Sequence, residues 1–253
     1  MTATPSAART LAIDVGGSSV KASLVAPDGT LLTEPQQVST PYPCNPTTLI
    51  SVIAKLAADL PTADRACVGF PGLVRAGTVI DVPSLSRRSY AGQRDDDLAR
   101  AWAGYPLREA VAERLALPVR AVNDADMAGC AVVAGHGMEF VVTLGTGIGT
   151  ALFQDGRLLP HLELSHLSFP GRHETIDALV GNTALHRVGA RRWRRRVHRM
   201  MASFRDALWY DRAYIGGGNA RLLAGTAIPA EWTLISNTEA LVGAVRIWEL
   251  DTD

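Results

Sequence analysis

The sequence contains one stretch twice: LAIDVGGSSVKASLVAPDGTLL at Leu11–Leu32, and FVVTLGTGIGTALFQDGRLL at Phe140–Leu159. In each copy an apolar strand leads into a glycine corner, a second strand and an Asp-Gly turn. The β-branched, alternating residues after the corner predict another strand, whereas a P-loop or a dinucleotide fingerprint continues into a helix. A repeated unit predicts two similar α/β lobes. Glycine corners expose backbone N–H groups that bind anions, so two corners facing one cleft indicate a nucleotide or polyphosphate site.

The composition limits the classes of protein to consider. With 253 residues and 47% hydrophobic content, the chain fits one large domain or two modest ones. The 25 basic and 25 acidic residues cancel, so we expect neither nucleic acid nor a membrane as a partner. No apolar run reaches the roughly 20 residues that span a bilayer, and the N-terminus leads into no signal core, which favours the cytoplasm. Three widely spaced cysteines predict neither a disulfide framework nor a thiolate zinc site.

The remaining pattern alternates helices and strands after an initial three-stranded meander. The predicted strands are Leu11–Val15, Val20–Ala26, Thr30–Val38, Ala66–Phe70, Val119–Val122 and Ala213–Ile215. The predicted helices are Thr47–Leu60, Leu107–Leu115, Ala125–Ala134, segments within Asp177–Leu208, and Thr238–Trp248. The polar residues 83–104 predict surface loops with a short helix.

The first glycine corner carries the residue types of a phosphate site. Asp14 stands before this corner and Lys21 after it. A carboxylate there can hold Mg²⁺, directly or through water, and a lysine ammonium neutralises phosphate oxygens. An ordinary hairpin is the alternative, and the second copy favours phosphate binding. The predicted phosphate-binding residues are Asp14, Gly16, Gly17, Ser18, Lys21, Gly145, Thr146 and Gly147.

Asn123 and Asp124 follow a predicted apolar strand, at the position where open α/β sheets place their chemistry. A carboxylate here could accept the proton of a substrate hydroxyl as its oxygen attacks phosphorus. Both residue types also serve as helix N-caps, which is the structural alternative. Asp126 could supply the cap instead and leave Asp124 free for catalysis.

Two further segments contain candidate binding residues. Glu163, His166 and Glu174 lie in one loop and suit a polyhydroxylated ligand, since carboxylates accept hydrogen bonds from vicinal hydroxyls. A solvated loop is one alternative, and a metal site is another, with the ligands His161, Glu163, His166 and His173. The turn Gly216–Gly218 would let an adenine ring and its ribose approach the backbone, or it is a plain strand-to-helix turn.

The segment Arg187–Arg199 reads RVGARRWRRRVHR. Val188, Trp193, Val197 and Met200 supply an apolar stripe at helical spacing, which favours a helix with a solvated or oligomer-facing arginine rim. Binding of polyphosphate or nucleic acid to this surface is the alternative. The helix around Trp193 could also bury the contact of a homodimer.

Taken in order, these motifs resemble the landmarks of one family. They are D-V-G-G-S-S-V-K from Asp14, F-P-G ending at Gly72, N-D-A-D from Asn123, T-L-G-T-G-I-G from Thr143, the segment Glu163–His166, and I-G-G-G-N from Ile215. The chain from about Leu11 to Trp248 resembles the ROK family (repressors, open reading frames and kinases) of the actin, Hsp70 and sugar-kinase superfamily. The likeness is strongest to its short branch of glucokinases and polyphosphate glucokinases.

The resemblance implies a two-lobed actin-like ATPase fold, ribonuclease H-like, with mixed sheets. One lobe would take residues 1–122 and the final helix, 238–253, and the other residues 123–237. It implies a kinase that phosphorylates the 6-hydroxyl of a hexose, with glucose as the first candidate, and that uses Mg²⁺ and either ATP or polyphosphate. Asp124 would be the catalytic base, and Gly216, Gly217 and Gly218 would form the nucleotide-side turn. The implied sugar-binding residues are Pro71, Gly72, Asn123, Asp124, Glu163, His166 and Glu174.

The chain also departs from the family pattern. It lacks the cysteine cluster of the zinc-containing members, so we expect no zinc. Ser165 replaces a glycine, and no asparagine occurs between Asn45 and Asn123, which leaves the identity of the sugar open. A sugar-responsive regulator is the alternative function. Such members carry a DNA-binding module ahead of the first motif, whereas the first predicted strand here begins at about Leu11, which favours the kinase.

Overall fold

The computed structural model describes residues 8–90, 92–236 and 239–250. Contacts divide these residues into two compact units. Unit 1 contains the described residues up to Ala131 and those from Ala240 onward, and unit 2 contains Val132–Glu239. The first boundary therefore lies after Ala131, whereas the sequence placed it after residue 122. No helix among the described residues combines the length and the apolar character that crossing a bilayer requires.

Twelve strands and eight helices alternate along the described chain. The strands are β1 (Thr10–Val15), β2 (Ser19–Val25), β3 (Gln36–Ser39), β4 (Arg65–Phe70), β5 (Leu73–Arg75), β6 (Thr78–Asp81), β7 (Val119–Asn123), β8 (Met138–Leu144), β9 (Ile148–Gln154), β10 (Arg157–Leu158), β11 (Arg212–Gly216) and β12 (Trp232–Leu234). The helices are α1 (Pro46–Ala58), α2 (Asp96–Trp102), α3 (Leu107–Leu115), α4 (Asp124–Val132), α5 (Ile176–Val180), α6 (Asn182–Val188), α7 (Ala190–Leu208) and α8 (Glu239–Arg246).

Each unit is built on a five-stranded mixed sheet, and the two sheets have the same strand order. The order is β3-β2-β1-β4-β7 in unit 1 and β10-β9-β8-β11-β12 in unit 2. In both sheets the first two neighbouring pairs are antiparallel and the last two are parallel. The repeat therefore extends from the glycine hairpin to the whole sheet.

Helices cover the apolar faces of both sheets. In unit 1, Trp102 is fully buried and its indole N–H donates a hydrogen bond to the Cys44 carbonyl at 2.9 Å. In unit 2, Phe140 of β8 packs edge-on against Phe204 of α7, with 5.3 Å between the ring centroids. Buried aromatic rings of this size dominate the energetics of small cores.

Several predicted elements differ in extent from the structure. The third strand is limited to β3, because Leu31 makes only an isolated bridge with Val25. The helical segments predicted within Asp177–Leu208 are α5, α6 and α7, which Gly181 and Gly189 separate. The short strands β5, β6, β10 and β12 were not predicted. The predicted start of the last helix at Thr238 lies outside the described residues.

The C-terminal helix α8 packs on unit 1 through a glycine. A Cβ atom on Gly243 would lie 1.7 Å from the carbonyl oxygen of Met127 in α4. Beyond α8, Arg120 donates hydrogen bonds to the carbonyls of Ile247 and Leu250, the latter at 2.6 Å. Arg120 also stacks on the ring of Trp248, 5.0 Å from its centroid. Close backbone contact and these bonds together hold α8 in unit 1.

We expect Gly243→Ala to lower the free energy of unfolding by about 3 kcal/mol, the upper part of the range for overpacked sites. Alanine alone would favour the helix by about 1 kcal/mol over glycine, so a net loss must come from the contact with Met127. Thermal unfolding measures the effect. Gly104→Ala is the control, because nothing lies within 4 Å of its Cβ position and only its φ of +75° is unfavourable, at about 1 kcal/mol. Equal losses in the two variants would contradict the packing argument.

Candidate functional site

The carboxyl ends of three neighbouring strands carry the predicted residues of unit 1. In the parallel pair of β1 and β4, Asp14 aligns with Gly69, and in the pair of β4 and β7, Phe70 aligns with Asn123. Such strand ends are the usual location of chemistry in α/β sheets. The structure thus brings Asp14, Pro71, Gly72, Asn123 and Asp124 to one edge of the sheet.

The first glycine corner is held by its carbonyl oxygens. Thr40 Oγ1 donates to the Gly16 carbonyl at 2.6 Å, and the Tyr42 hydroxyl donates to the Gly17 carbonyl at 2.7 Å. Burial, followed by smaller electrostatic effects, raises the pKa of Tyr42 to about 12, so its hydroxyl stays a donor. Within the described residues, the N–H groups of Gly17 and Ser18 have no acceptor. They remain available to an anion.

Asp14 and Lys21 face each other across the first hairpin. The Lys21 Nζ atom lies 3.9 Å from Asp14 Oδ2, and 21% of the Asp14 side chain remains exposed. Burial raises the pKa of Asp14, and the Lys21 charge only partly opposes this rise. A cation or a cation-bound water at Asp14 would offset the cost of burying its charge. One carboxylate beside phosphate oxygens and waters is a ligand set that Mg²⁺ accepts, so these residues fit the expected ion.

Asn123 makes protein contacts with its whole amide group. The side chain is buried, and Nδ2 donates to the carbonyls of Gly72 at 3.0 Å and Phe70 at 3.4 Å. Its Oδ1 accepts a hydrogen bond from the Ala125 N–H at 2.7 Å. Asn123 therefore caps α4, a role that the sequence also allowed to Asp126, and it ties the Pro-Gly turn to the start of that helix. Contact between Asn123 and a sugar stays a prediction.

Two glycines let the elements around Asp124 approach each other. A Cβ atom on Gly69 would lie 2.6 Å from Met127 Cε and 3.3 Å from Asp124 Cα. A Cβ atom on Gly72 would lie 2.4 Å from the carbonyl oxygen of Asp81. The half-buried Asp124 is the first residue of α4 and so follows directly on β7. Sequence reasoning did not identify Gly69 as part of this arrangement.

The second corner, in unit 2, is one residue shorter than the first. Leu144 pairs with Ile148, so the corner consists of Gly145, Thr146 and Gly147, with Thr146 exposed at its tip. The Ile148 N–H donates to Asp177 Oδ1 at 2.9 Å. The sequence did not predict a role for Asp177, because its contact with the corner depends on how α5 packs against β9.

The turn Gly216–Gly218, whose nucleotide role stays a prediction, lies against this second corner. The Asn219 N–H donates to the Leu144 carbonyl at 2.9 Å. The Asn219 side-chain amide donates to the Gly145 carbonyl at 3.3 Å and to Asn182 Oδ1 at 3.4 Å. The middle glycine has a φ of +85°, and a Cβ atom there would lie 2.4 Å from the Leu144 carbonyl oxygen. Asn182 gave no signal in the sequence.

The three predicted sugar-binding residues of the loop after β10 differ in exposure. Glu163 is half-buried, and its Oε1 lies 3.4 Å from Nε2 of the buried His161. His166 and Glu174 are exposed. The sequence considered His161 only as a metal ligand, and in the described part of the chain no three histidine, cysteine or acidic side chains are grouped to hold a metal ion. The structure instead places the His161 imidazole beside the Glu163 carboxylate.

Together the fold and these residues define a class: a duplicated α/β protein of the actin and sugar-kinase type, with a glycine-cornered hairpin in each unit. The chain belongs to the ROK family, whose model matches residues 10–161. It is 30% identical to the polyphosphate glucokinase of Mycobacterium leprae, over 95% of this chain and 75% of that protein. Identity to the polyphosphate glucokinase of Mycobacterium tuberculosis is 28%, over 95% and 91% of the two chains.

A solved structure shares the fold across both units. The inorganic polyphosphate/ATP-glucomannokinase from Arthrobacter sp. strain KM has a TM-score of 0.79 and 26% identity, and the match covers 95% of this chain and 98% of that chain. The predicted actin-like fold with duplicated hairpins and mixed sheets is therefore confirmed.

Replacing Asn123 should destabilise unit 1. Asn123→Ala removes the donor to the Gly72 carbonyl and one of two partners each of the Phe70 carbonyl, which also accepts from the Gly72 N–H, and of the Ala125 N–H, which also donates to Asp124 Oδ1. Leaving the buried Gly72 carbonyl unsatisfied and weakening the other two groups should cost about 2–3 kcal/mol. Asn45→Ala is the matched control, because that exposed asparagine only caps α1 through the Thr48 N–H, a bond worth about 1 kcal/mol. Urea unfolding of the two variants distinguishes the sites. A loss at Asn123 no larger than that at Asn45 would show that its hydrogen bonds are not essential.

The raised pKa of Asp14 predicts a stability change with pH. The pKa of Asp14 in the folded protein lies above the ordinary value of 3.8, so the folded state favours the protonated carboxyl. This contribution to the free energy of unfolding is complete below pH 3.8 and is lost as the pH rises through the folded pKa. Asp14→Asn should therefore melt at a higher temperature than the wild type at neutral pH, and the difference should shrink toward pH 4.

The exposed Asp28 provides a control of opposite sign. The Thr30 N–H donates to Asp28 Oδ1 at 2.9 Å and lowers the pKa of this carboxyl. Asp28→Asn should therefore melt at a slightly lower temperature than the wild type at neutral pH. If Asp14→Asn were also less stable than the wild type at neutral pH, the charge of Asp14 would be stabilising rather than costly.

Proposed function

We propose that this protein is a glucokinase-type kinase that transfers a phosphoryl group from ATP or polyphosphate to the 6-hydroxyl of a hexose, with glucose as the first candidate. The observation that carries the proposal is the position of Asp124. It begins α4 at the sheet edge that also carries Asp14 and the first glycine corner. The relatives named above act as polyphosphate glucokinases and match both units. This agreement supports the kinase over the regulator.

Asp124 would be the general base. Its carboxylate would accept the proton of the hydroxyl as the oxygen attacks the terminal phosphorus of the donor. A positioned base of this kind contributes roughly 10²–10⁴-fold to a rate. Asn123 would keep Asp124 in place, because its amide fixes both the start of α4 and the Pro71–Gly72 turn.

The two glycine corners and Lys21 would bind and neutralise the phosphate oxygens. Phosphoryl transfer depends on alignment and charge neutralisation more than on covalent chemistry by the protein. The N–H groups of Gly17 and Ser18 serve the first corner, and that of Gly147 serves the second. Asp14 would hold Mg²⁺, directly or through water, and the ion would neutralise charge on the transferred group. The turn Gly216–Gly218 would receive the adenosine part of ATP.

Glu163, His166 and Glu174 would bind the remaining hydroxyls of the sugar. Carboxylates accept two hydrogen bonds from vicinal hydroxyls, and imidazole can donate or accept. His161 would keep the Glu163 carboxylate in its orientation through their 3.4 Å contact. We place the protein in the cytoplasm. The buried, unpaired state of Cys44, Cys67 and Cys130 supports a reducing compartment.

A coupled assay tests the proposed reaction. Glucose, mannose and other hexoses are each incubated with ATP or with polyphosphate, and the sugar phosphate is identified by NMR. We expect phosphate on the 6-hydroxyl of glucose with at least one donor. No transfer to any hexose from either donor would refute the proposed function.

We expect Asp124→Asn to retain sugar binding within a few-fold and the melting temperature of the wild type, while kcat falls by about 10²-fold or more, as is typical for loss of a general base. Steady-state kinetics and glucose titration measure the two effects. Asp97→Asn, an exposed acidic residue of α2, is the control and should leave kcat unchanged. Near-normal turnover of Asp124→Asn would exclude Asp124 as the base.

A further inference from the structure

Positive charge in unit 2 is concentrated around α7. Between Ala178 and Arg205 the sequence contains eight arginines and no acidic residue, although the whole chain has 25 basic and 25 acidic residues. A local excess of one sign creates a potential that concentrates ions of the opposite sign, even on a protein without net charge. This surface therefore attracts anions.

The arginines lie on the side of α7 opposite to the core. Trp193, Val197 and Met200 are fully buried in the core of unit 2. At about 100° of rotation per residue, Arg191, Arg192, Arg195 and Arg199 fall within one exposed sector on the other side. Arg187 at the end of α6 is also exposed. We call Arg187, Arg191, Arg192, Arg195 and Arg199 the arginine face.

Two neighbouring arginines differ from the arginine face in their contacts. The half-buried Arg194 and Arg196 donate hydrogen bonds to the carbonyls of Leu222 at 3.3 Å and Leu179 at 2.9 Å. In the described part of the chain, by contrast, no ion pair or hydrogen bond joins the guanidinium groups of Arg191, Arg192 and Arg195 to a protein acceptor. Their donors are free for a ligand, whereas Arg194 and Arg196 hold the helix in place.

Like charges around the arginine face oppose one another. Burial, and then the charges of Arg187, Arg172 and Arg192, lower the pKa of Arg196, while Glu174 acts in the opposite direction. Like charges at helical spacing destabilise a helix. A bound polyanion would relieve this repulsion.

We propose that the arginine face binds the chain of linear inorganic polyphosphate when this polymer is the phosphoryl donor. The inference rests on the proposed function and assigns a surface to one of its two donors. Arg191, Arg195 and Arg199 follow one another at the spacing of about one helical turn, about 5.4 Å along the axis. Guanidinium groups bind phosphate oxygens through paired, charge-assisted hydrogen bonds. The row would hold the part of the chain that is not transferred.

The composition of the arginine face favours polyphosphate over nucleic acid. Proteins that bind single strands stack bases on exposed aromatic rings. Trp193 of α7 is fully buried, and Phe169, which Arg199 covers at 5.8 Å, is 4% exposed. Between Arg187 and Arg199 no phenylalanine, tyrosine or tryptophan ring of the described residues is exposed, and the exposed Trp209 lies beyond the end of α7. A surface of guanidinium groups matches a polymer that consists of phosphates alone.

The triple variant Arg191→Gln, Arg192→Gln and Arg195→Gln tests the proposal. Glutamine has nearly the helix propensity of arginine, so α7 should persist. With long-chain polyphosphate as donor, we expect KM to rise about 10-fold or more at about 0.1 M salt, because three phosphate contacts are lost. With ATP, kcat and KM should stay within about two-fold. Titration of long-chain polyphosphate without sugar should show a salt slope reduced by about two, from roughly 0.7 per lost contact.

The variant Arg157→Gln, Arg212→Gln and Arg221→Gln is the matched control, since it removes three exposed arginines of unit 2 outside the arginine face. It should leave both donors unaffected. The proposal is overturned if the α7 variant binds polyphosphate like the wild type, if the control weakens binding equally, or if single-stranded RNA displaces polyphosphate at equal phosphate concentration. If neither donor supports transfer to a hexose, the proposed function fails, and the direct titration still decides the role of the arginine face.

Discussion

In each hairpin corner one N–H group bonds inside the corner, Gly16 to the Ser19 carbonyl at 2.9 Å and Gly145 to the Gly147 carbonyl at 3.0 Å. Donors from elsewhere in the same unit bond to other carbonyls of the corner. In unit 1, Thr40 and Tyr42 donate to the carbonyls of the corner. In unit 2, the Asn219 side chain and the Asn182 N–H donate to the carbonyls of Gly145 and Thr146, the latter at 3.1 Å. The N–H groups of Gly17, Ser18 and Gly147 have no backbone acceptor among the described residues, and we propose that they bind anions. The proposed phosphate binding thus rests on how each corner is supported by its own unit.

The residues around Asp124 include one group that costs stability and one that supplies it. Asp14 carries a carboxylate whose pKa burial has raised, so its charge is unfavourable in the folded protein without a cation or phosphate-bound ion. Asn123 acts in the opposite direction, because every polar atom of its amide has a protein partner. Functional sites commonly combine one costly group with a well-bonded support.

Local sequence patterns predicted the structural features that are determined by residues close together in the sequence. The duplicated hairpins, the strand-to-helix junction at Asp124 and the amphipathic α7 are set by alternation, glycine and helical spacing, and the structure contains all three. The contact of Asp177 with Ile148 depends on how two segments distant in the chain pack together, and that of His161 with Glu163 depends on the path of an irregular loop. Local patterns contain no information on such contacts. The sequence therefore did not identify Asp177 and considered His161 only as a metal ligand. The sequence predicted helical segments within Asp177–Leu208, and Gly181 and Gly189 separate them in the structure.

The central proposal is that the glycine corner of each unit binds phosphate groups of the phosphoryl donor. Amide chemical shifts of isotope-labelled protein test it directly during titration with a non-hydrolysable ATP analogue. The account predicts that the resonances of Gly17 and Ser18 in unit 1 and of Gly147 in unit 2 shift together, with one dissociation constant. A titration in which only one corner responds, or neither does, would contradict it.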